Sequence, residues 1–254
     1  MNVFNIKKGL LLLFIVQGIV AIGCTKSNEP AASPGTPSNT GIEKGVIKGR
    51  VTDSKGNGIA NVKLVIEHTI YYGTYVFATT DQQGYYKTKV PNGSWQVTGQ
   101  IERALNDQSY KFDLHPDEPA AFAGSNGAIR NFSWKLKGAK PGNGYYGSSV
   151  AVYAEPGSSL DLSALEITLT PVGLLADGNP GSVITDTLED IGGGEEGIKD
   201  IPIAKYRVSA KIKNTNEAVQ IRLRNTGNYG TSVEGVFKSG FTGSTQYQLV
   251  VEVK

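Results

Sequence analysis

Cysteine occurs once in the 254 residues, methionine once and histidine twice. A lone cysteine, Cys24, excludes an internal disulfide, so the stability of this chain has to come from core packing. Acyl-transfer chemistry needs a nucleophile, a base and an orienting acid, and His68 and His115 are the only imidazoles available. His68 ends a strand pattern, where a solvated or capping role is expected. His115 lies in the polar loop Asp113–Glu118, whose carboxylates lack a recognisable metal-ligand spacing. No apolar period of 3.6 runs for three turns anywhere after residue 40, so long helices are not expected. No cofactor and no enzymatic activity are expected either.

Charge of one sign is also missing. The chain holds 25 Lys and Arg against 23 Asp and Glu, and two of the basic residues, Lys7 and Lys8, lie in a leader without acids. Without them the charges balance. Basic residues are scattered rather than clustered, which excludes nucleic acid as the expected partner. The densest acidic stretch, Asp186–Asp200, does not have the spacing of an EF-hand calcium loop and is expected to be a mobile hairpin connection. Its Gly192-Gly193-Gly194 is not followed by the Lys-Ser/Thr of a phosphate loop.

What is present begins with a leader. Residues 1–8 are basic and Gly9–Ile22 almost continuously apolar, a run shorter than the roughly 20 residues that span a bilayer. Small residues close it, and Ala21-Ile22-Gly23-Cys24 resembles a bacterial lipobox. That resemblance implies a signal peptide over 1–23, cleavage before Cys24 and acylation of its thiol and new amine. Acyl chains bury about 0.8 kcal/mol per methylene, so several hold a protein stably on a bilayer. Residues 24–44 then read as the lipidated cysteine and a tether. Prolines 30, 34 and 37 and the lack of large apolar residues in Thr25–Thr40 leave nothing to offset ordering entropy.

The rest of the chain alternates with period two between Gly, Asn, Asp and Pro corners. In Val46–Asp53 the residues Ile47, Gly49 and Val51 share one face; in Val62–Glu67 it is Val62, Leu64 and Ile66. Thr80-Asp81 to Gly84-Tyr85 and Val90-Pro91-Asn92-Gly93 are turn signals. Phe132, Trp134 and Leu136 share a face of the last strand before Gly138. Gly49-Arg50-Val51-Thr52-Asp53, Gly58-Ile59-Ala60-Asn61-Val62, Thr80–Tyr86 and Val90–Trp95 together resemble the carboxypeptidase regulatory-like module. The resemblance implies a transthyretin-like β-sandwich of about seven strands. It covers residues 45–101 well and the remainder to 137 loosely, because a long connection from Leu105 to Gly127 departs from the pattern.

A Gly- and Pro-rich linker is expected over 138–147. Beyond it, seven segments carry strand patterning: Ser149–Ala154, Leu165–Thr170, Ser182–Leu188, Lys205–Lys213, Val219–Arg224, Ser232–Phe237 and Gln246–Val253. The expected fold is therefore all-β, with a first sandwich over 45–137 and a second over 148–254.

Function is less legible. Tyr71-Tyr72, Tyr85-Tyr86 and Tyr145-Tyr146 are adjacent pairs, and neighbours on a strand point to opposite sides. Outward tyrosines Tyr71, Tyr72 and Tyr145 make the candidate ligand platform, because flat rings offer apolar faces with polar rims. The expected function is non-catalytic binding of a glycan or surface protein, in the bacterial cell envelope, anchored to the outer membrane. A spacer that pairs through strand edges and a hydrolase with an unrecognised carboxylate pair are the alternatives. The anchor has a direct check: mass spectrometry of the membrane-extracted protein should find acyl chains on Cys24, and Cys24→Ser should move the protein to the soluble fraction.

Overall fold

A computed structural model describes residues 41–240 and 245–254, which belong to one compact unit. Cys24, the signal and the tether up to Thr40 lie outside the described residues. Ten strands fill the first half: β1 (Val46–Thr52), β2 (Lys63–His68), β3 (Tyr75–Thr79), β4 (Tyr85–Lys89), β5 (Ser94–Leu105), β6 (Gln108–Asp113), β7 (His115–Pro116), β8 (Phe122–Ala123), β9 (Ala128–Ile129) and β10 (Phe132–Ser133). The second half continues with β11 (Ser148–Ala154), β12 (Leu165–Pro171), β13 (Ile184–Thr187), β14 (Glu189–Gly192), β15 (Glu195–Ile201) and β16 (Lys205–Ile212). It ends with β17 (Ala218–Val219), β18 (Ile221–Leu223), β19 (Thr226–Gly230), β20 (Val233–Val236), β21 (Lys238–Ser239) and β22 (Tyr247–Val253). The only helical piece among the described residues is a 3-10 turn at Leu162–Ala164.

Each half packs two sheets. In the first, β4-β1-β10-β7, with β9 beside β1, faces β3-β2-β5-β6, with β8 beside β5. In the second, β14-β15-β11-β22-β18-β19, with β21 beside β22, faces β13-β12-β16-β17, with β20 beside β16. The protein is all-β, built from β-sandwiches. Ile47, Val51, Leu64, Ile66 and Trp95 in the first half and Val150, Leu165, Ile167, Tyr206 and Phe237 in the second belong to one buried apolar cluster, all 2% exposed or less. Each aliphatic side chain so buried contributes about 1.5–3 kcal/mol.

Two corners show how the sequence dictates the path. Asp81 Oδ1 accepts the N–H groups of Gln83 and Tyr85 at 2.9 and 2.8 Å, and Gly84 takes the positive φ of +81° that closes the turn. At Gly49, a Cβ would lie 1.7 Å from the Arg130 carbonyl oxygen. The Tyr86 hydroxyl donates to that same carbonyl at 2.7 Å, so strand β1 and the chain at Arg130 approach closer than any side chain permits.

Three expectations need correction. The stretch from Leu105 does not wander: β5 runs on to Leu105 and turns back into β6 through Asn106 and Asp107, at φ +50° and +59°. Asn and Asp tolerate the left-handed conformation there without glycine. Asp186–Asp200 is no mobile connection, because β15 pairs with β11 and buries Gly197 and Ile198. His68 does cap, but it is buried rather than solvated.

The halves are joined by more than a linker. The Tyr110 hydroxyl donates to the Phe237 carbonyl at 2.9 Å, and the Tyr247 hydroxyl accepts the Lys111 N–H at 2.6 Å. The Asp200 carboxylate accepts the N–H groups of Gly138 and Gly147 at 2.8 and 3.0 Å, pinning both ends of the 138–147 segment. Gly49→Ala is expected to cost about 3 kcal/mol through this crowding, read as a lowered denaturation midpoint at unchanged slope.

Candidate functional site

Residues opposite one another on antiparallel strands point to the same side, so the register defines the outward face of the β3-β2-β5-β6 sheet. Glu67 stands between Tyr75 and Gln96, and Val65 between Phe77 and Thr98. Gln100 faces Asp113, and Glu102 faces Lys111. On β3 the large residues Tyr75 and Phe77 are outward, 43% and 50% exposed, while Val76 and Ala78 turn to the core. Their rings are nearly parallel, 25° apart with centroids at 6.2 Å. The Lys63 ammonium sits 4.1 Å from the centre of the Phe77 ring, a cation–π contact that orients the ring.

A groove of about 410 Å³ crosses this face between Lys63, Val65, Thr98, Gln100, Glu102 and Lys111. Beside it lies a second, of about 390 Å³, whose walls include Gln96, Gln100, Asp113, Lys140, Pro141 and Tyr146. The surface is polar along β5 and aromatic along β3. Among the described residues strand β3 pairs only with β2, and its sequence Tyr-Val-Phe-Ala-Thr carries neither the charge nor the proline that usually blunts an edge.

The face has its own electrostatics. Glu67 pushes the Tyr75 hydroxyl above its ordinary value by charge and hydrogen bond. Burial opposes ionisation of Asp113, but Lys140 at 2.6 Å, Gln100 at 2.8 Å and Thr245 at 3.0 Å outweigh it and hold the carboxyl below its usual range. Burial, with Lys135 nearby, lowers His115, whose Nδ1 lies 3.0 Å from the Tyr146 hydroxyl. That hydroxyl is pushed up to about 12 by burial and by Asp113. Among the described residues no cluster of three or more His, Cys, Asp or Glu is arranged to hold a metal ion.

The structure places the tyrosines named above in two loops. Tyr71 and Tyr72 occupy the connection between β2 and β3, at 66% and 97% exposure. Both face outward because this is a turn, so strand alternation does not apply; Tyr145-Tyr146 obeys it, with Tyr145 exposed and Tyr146 buried. Tyr145 bridges back to Ala139, and its loop borders the sheet face through Lys140, Pro141 and Tyr146. Strand alternation within β3 alone does not single out Tyr75 and Phe77. The signal that finds them is the pairing partner: with Lys63 and Glu67 outward on β2, the residues opposite must be outward too.

No protein-family model and no curated protein matches the sequence. Among solved structures, the Bacillus anthracis TIE protein is similar at 12% identity and a TM-score of 0.32, over 83% of this chain and 34% of that one. The chain thus spans about a third of that protein's length. A DUF3823 family protein from Bacteroides ovatus aligns at 12% identity and a TM-score of 0.24, over 76% of this chain and 99% of that one. The C-terminal fragment of the pilus adhesin SpaC from Lactobacillus rhamnosus GG aligns at 10% identity and 0.27, over 82% and 97%. Likeness of this degree carries no argument about what the chain binds.

Asp113 gives a signed prediction. A carboxyl held below its unfolded pKa contributes stability above that value, lost as pH falls through the folded one. Asp113→Asn is expected to lower stability by about 1–2 kcal/mol at pH 7, a difference that shrinks below about pH 4 in denaturation curves across pH.

Proposed function

We propose that the chain is a non-catalytic binding lipoprotein of the bacterial envelope, anchored through Cys24 to the outer membrane, whose outward β3-β2-β5-β6 face takes a glycan. The observation that carries the reading is the pair of near-parallel rings, Tyr75 and Phe77, beside a ladder of neutral polar side chains, Gln96, Thr98 and Gln100. A sugar offers the matching chemistry, with apolar ring faces for the aromatics and hydroxyls that both donate to and accept from amides. Tyr72 stands near Tyr75 at the start of β3, Tyr71 is exposed in the same turn while its ring packs over His68, and the loop of Tyr145 borders the polar side. The carboxylates of this face are engaged: Glu67 by Tyr75, Glu102 by Ser109 at 2.5 Å and Asp113 by Lys140. That favours recognition over the general acid and base work of a hydrolase.

The quoted turn motifs support assigning the first sandwich to the carboxypeptidase regulatory-like class, in the role of a recognition unit. The second reading, strand addition at β3, is favoured by the uncharged, proline-free edge. The two separate experimentally. The chain from Thr25 onward should bind saturably on a glycan array, with Tyr75→Ala and Phe77→Ala each weakening affinity about tenfold. A sample that binds no glycan but dimerises in sedimentation, and loses the dimer with Val76→Pro, would replace the first reading by the second.

A further inference from the structure

We infer that His68 is a positioning residue that fixes the turn Thr69–Thr74 from beneath, so that Ile70, Tyr71 and Tyr72 meet a ligand already in place. This rests on the binding role given to the face above, and it names what prepares its aromatic end. The turn connects β2 to β3 and displays three large apolar residues, 74%, 66% and 97% exposed in chain order. Two antiparallel strands need only a two-residue connection. A longer one with its apolar side chains in water has no packing of its own to offset the entropy of ordering it.

The packing comes from below. His68 is 7% exposed, and its Nδ1 accepts the N–H groups of both Ile70 and Tyr71 at 3.1 Å. A ring nitrogen that accepts is unprotonated, so the tautomer assigned from these bonds carries its proton on Nε2. The Tyr71 ring lies over the imidazole with centroids 4.7 Å apart, and Trp95 meets it edge-on at 4.8 Å. Trp95 is itself held by donation from Nε1 to the Pro91 carbonyl at 2.9 Å. Space for the ring depends on Gly93, where a Cβ would stand 2.5 Å from Nε2 and where φ is +142°. The ends of the turn are tied by the Thr69 N–H to the Ser94 carbonyl and the His68 N–H to the Thr74 carbonyl, at 2.9 and 3.0 Å.

The chain of contacts runs from Pro91 through Trp95 and His68 to the Tyr71 ring at the surface. Its consequence for binding is preorganisation. Side chains already ordered in the free protein spare a ligand the cost of immobilising them, about 0.5–1.5 kcal/mol each. Tyr72, nearly fully exposed, has its backbone set by the two N–H groups just before it.

The test uses the intact chain and two variants. His68→Asn puts an acceptor oxygen where Nδ1 stood, and His68→Leu keeps volume but removes the acceptor. Amide hydrogen exchange is followed at Ile70 and Tyr71, with the β5 and β6 amides as a reference for the fold, and binding is read on an immobilised glycan panel. In His68→Leu the Ile70 and Tyr71 amides should exchange about tenfold faster or more while β5 and β6 stay protected, and glycan affinity should fall about tenfold. His68→Asn should restore both. Unchanged exchange at Ile70 and Tyr71 in His68→Leu overturns the assignment. Should His68→Leu expose β5 and β6 as well, His68→Asn decides: protected turn amides uphold the role, and loss of β5 and β6 protection there too makes His68 a core residue and overturns it. A wild-type chain that binds no glycan removes the binding reading alone, because the exchange result still tells whether His68 orders the turn.

Discussion

The bond from the Tyr110 hydroxyl to the Phe237 carbonyl is the constraint on which the arrangement of the β3-β2-β5-β6 face depends. Tyr110 belongs to β6, the last strand of its sheet, and Phe237 to the other half of the chain. Burial pushes the phenol up to about 12, so it stays a donor at any physiological pH. Such a bond adds only about 1 kcal/mol net, but leaving either group buried and unpaired costs about 1–3 kcal/mol. The Tyr247 hydroxyl covers the next backbone N–H along, at Lys111, and Thr245 reaches Asp113. One edge of the sheet is thereby closed by the second sandwich. Among the described residues no further strand pairs with β3, and that edge displays Tyr75 and Phe77.

Polar groups inside the molecule follow the same logic of full pairing. Thr80 donates to the Ile59 carbonyl at 2.7 Å and accepts the Val62 N–H at 2.8 Å, locking the start of β2 to the end of β3. Glu252, 2% exposed on the outer side of β22, accepts from Arg222 at 2.7 Å and from the Tyr229 hydroxyl. A buried carboxylate without these donors would be strongly destabilising. Trp134 Nε1 is the one buried side-chain nitrogen or oxygen among the described residues that lacks a partner. Its ring is held by apolar packing against Phe112, with centroids at 5.2 Å, and by Arg103 over its face. With no disulfide among the described residues, these pairings divide the work of stability with the apolar core.

What could be read in the sequence was local. Period-two alternation placed β1, β2, β12, β16 and β22 and identified Trp134 as a core residue, because each strand carries its own pattern of burial. Asp81 and Gly84 announced their turn through chemistry confined to five residues. What escaped depends on partners distant in sequence. The β5–β6 hairpin turns on two non-glycine residues at positive φ, a choice that composition does not reveal. Strand β15 reads as acidic and loop-like, yet it is drawn into a sheet by β11, far earlier in the chain. On β3 the bulky residues face water and the small ones face the core, the reverse of what side-chain size suggests. That orientation is set by Lys63 and Glu67 across the ladder, so only the register exposes it.

The position of β22 has a temporal consequence. Residues 247–253 do not hang on the rim of the seven-stranded sheet; they run through its middle, parallel to β11 on one side and antiparallel to β18 on the other. A chain that emerges from its amino end, whether from a ribosome or through an export channel, presents β11 and β18 before β22. Until those seven residues arrive, β11 and β18 each lack a neighbour and their apolar faces stay wet. Closure of that sheet therefore waits for β22, and the Tyr247 contact that covers the Lys111 N–H comes with it.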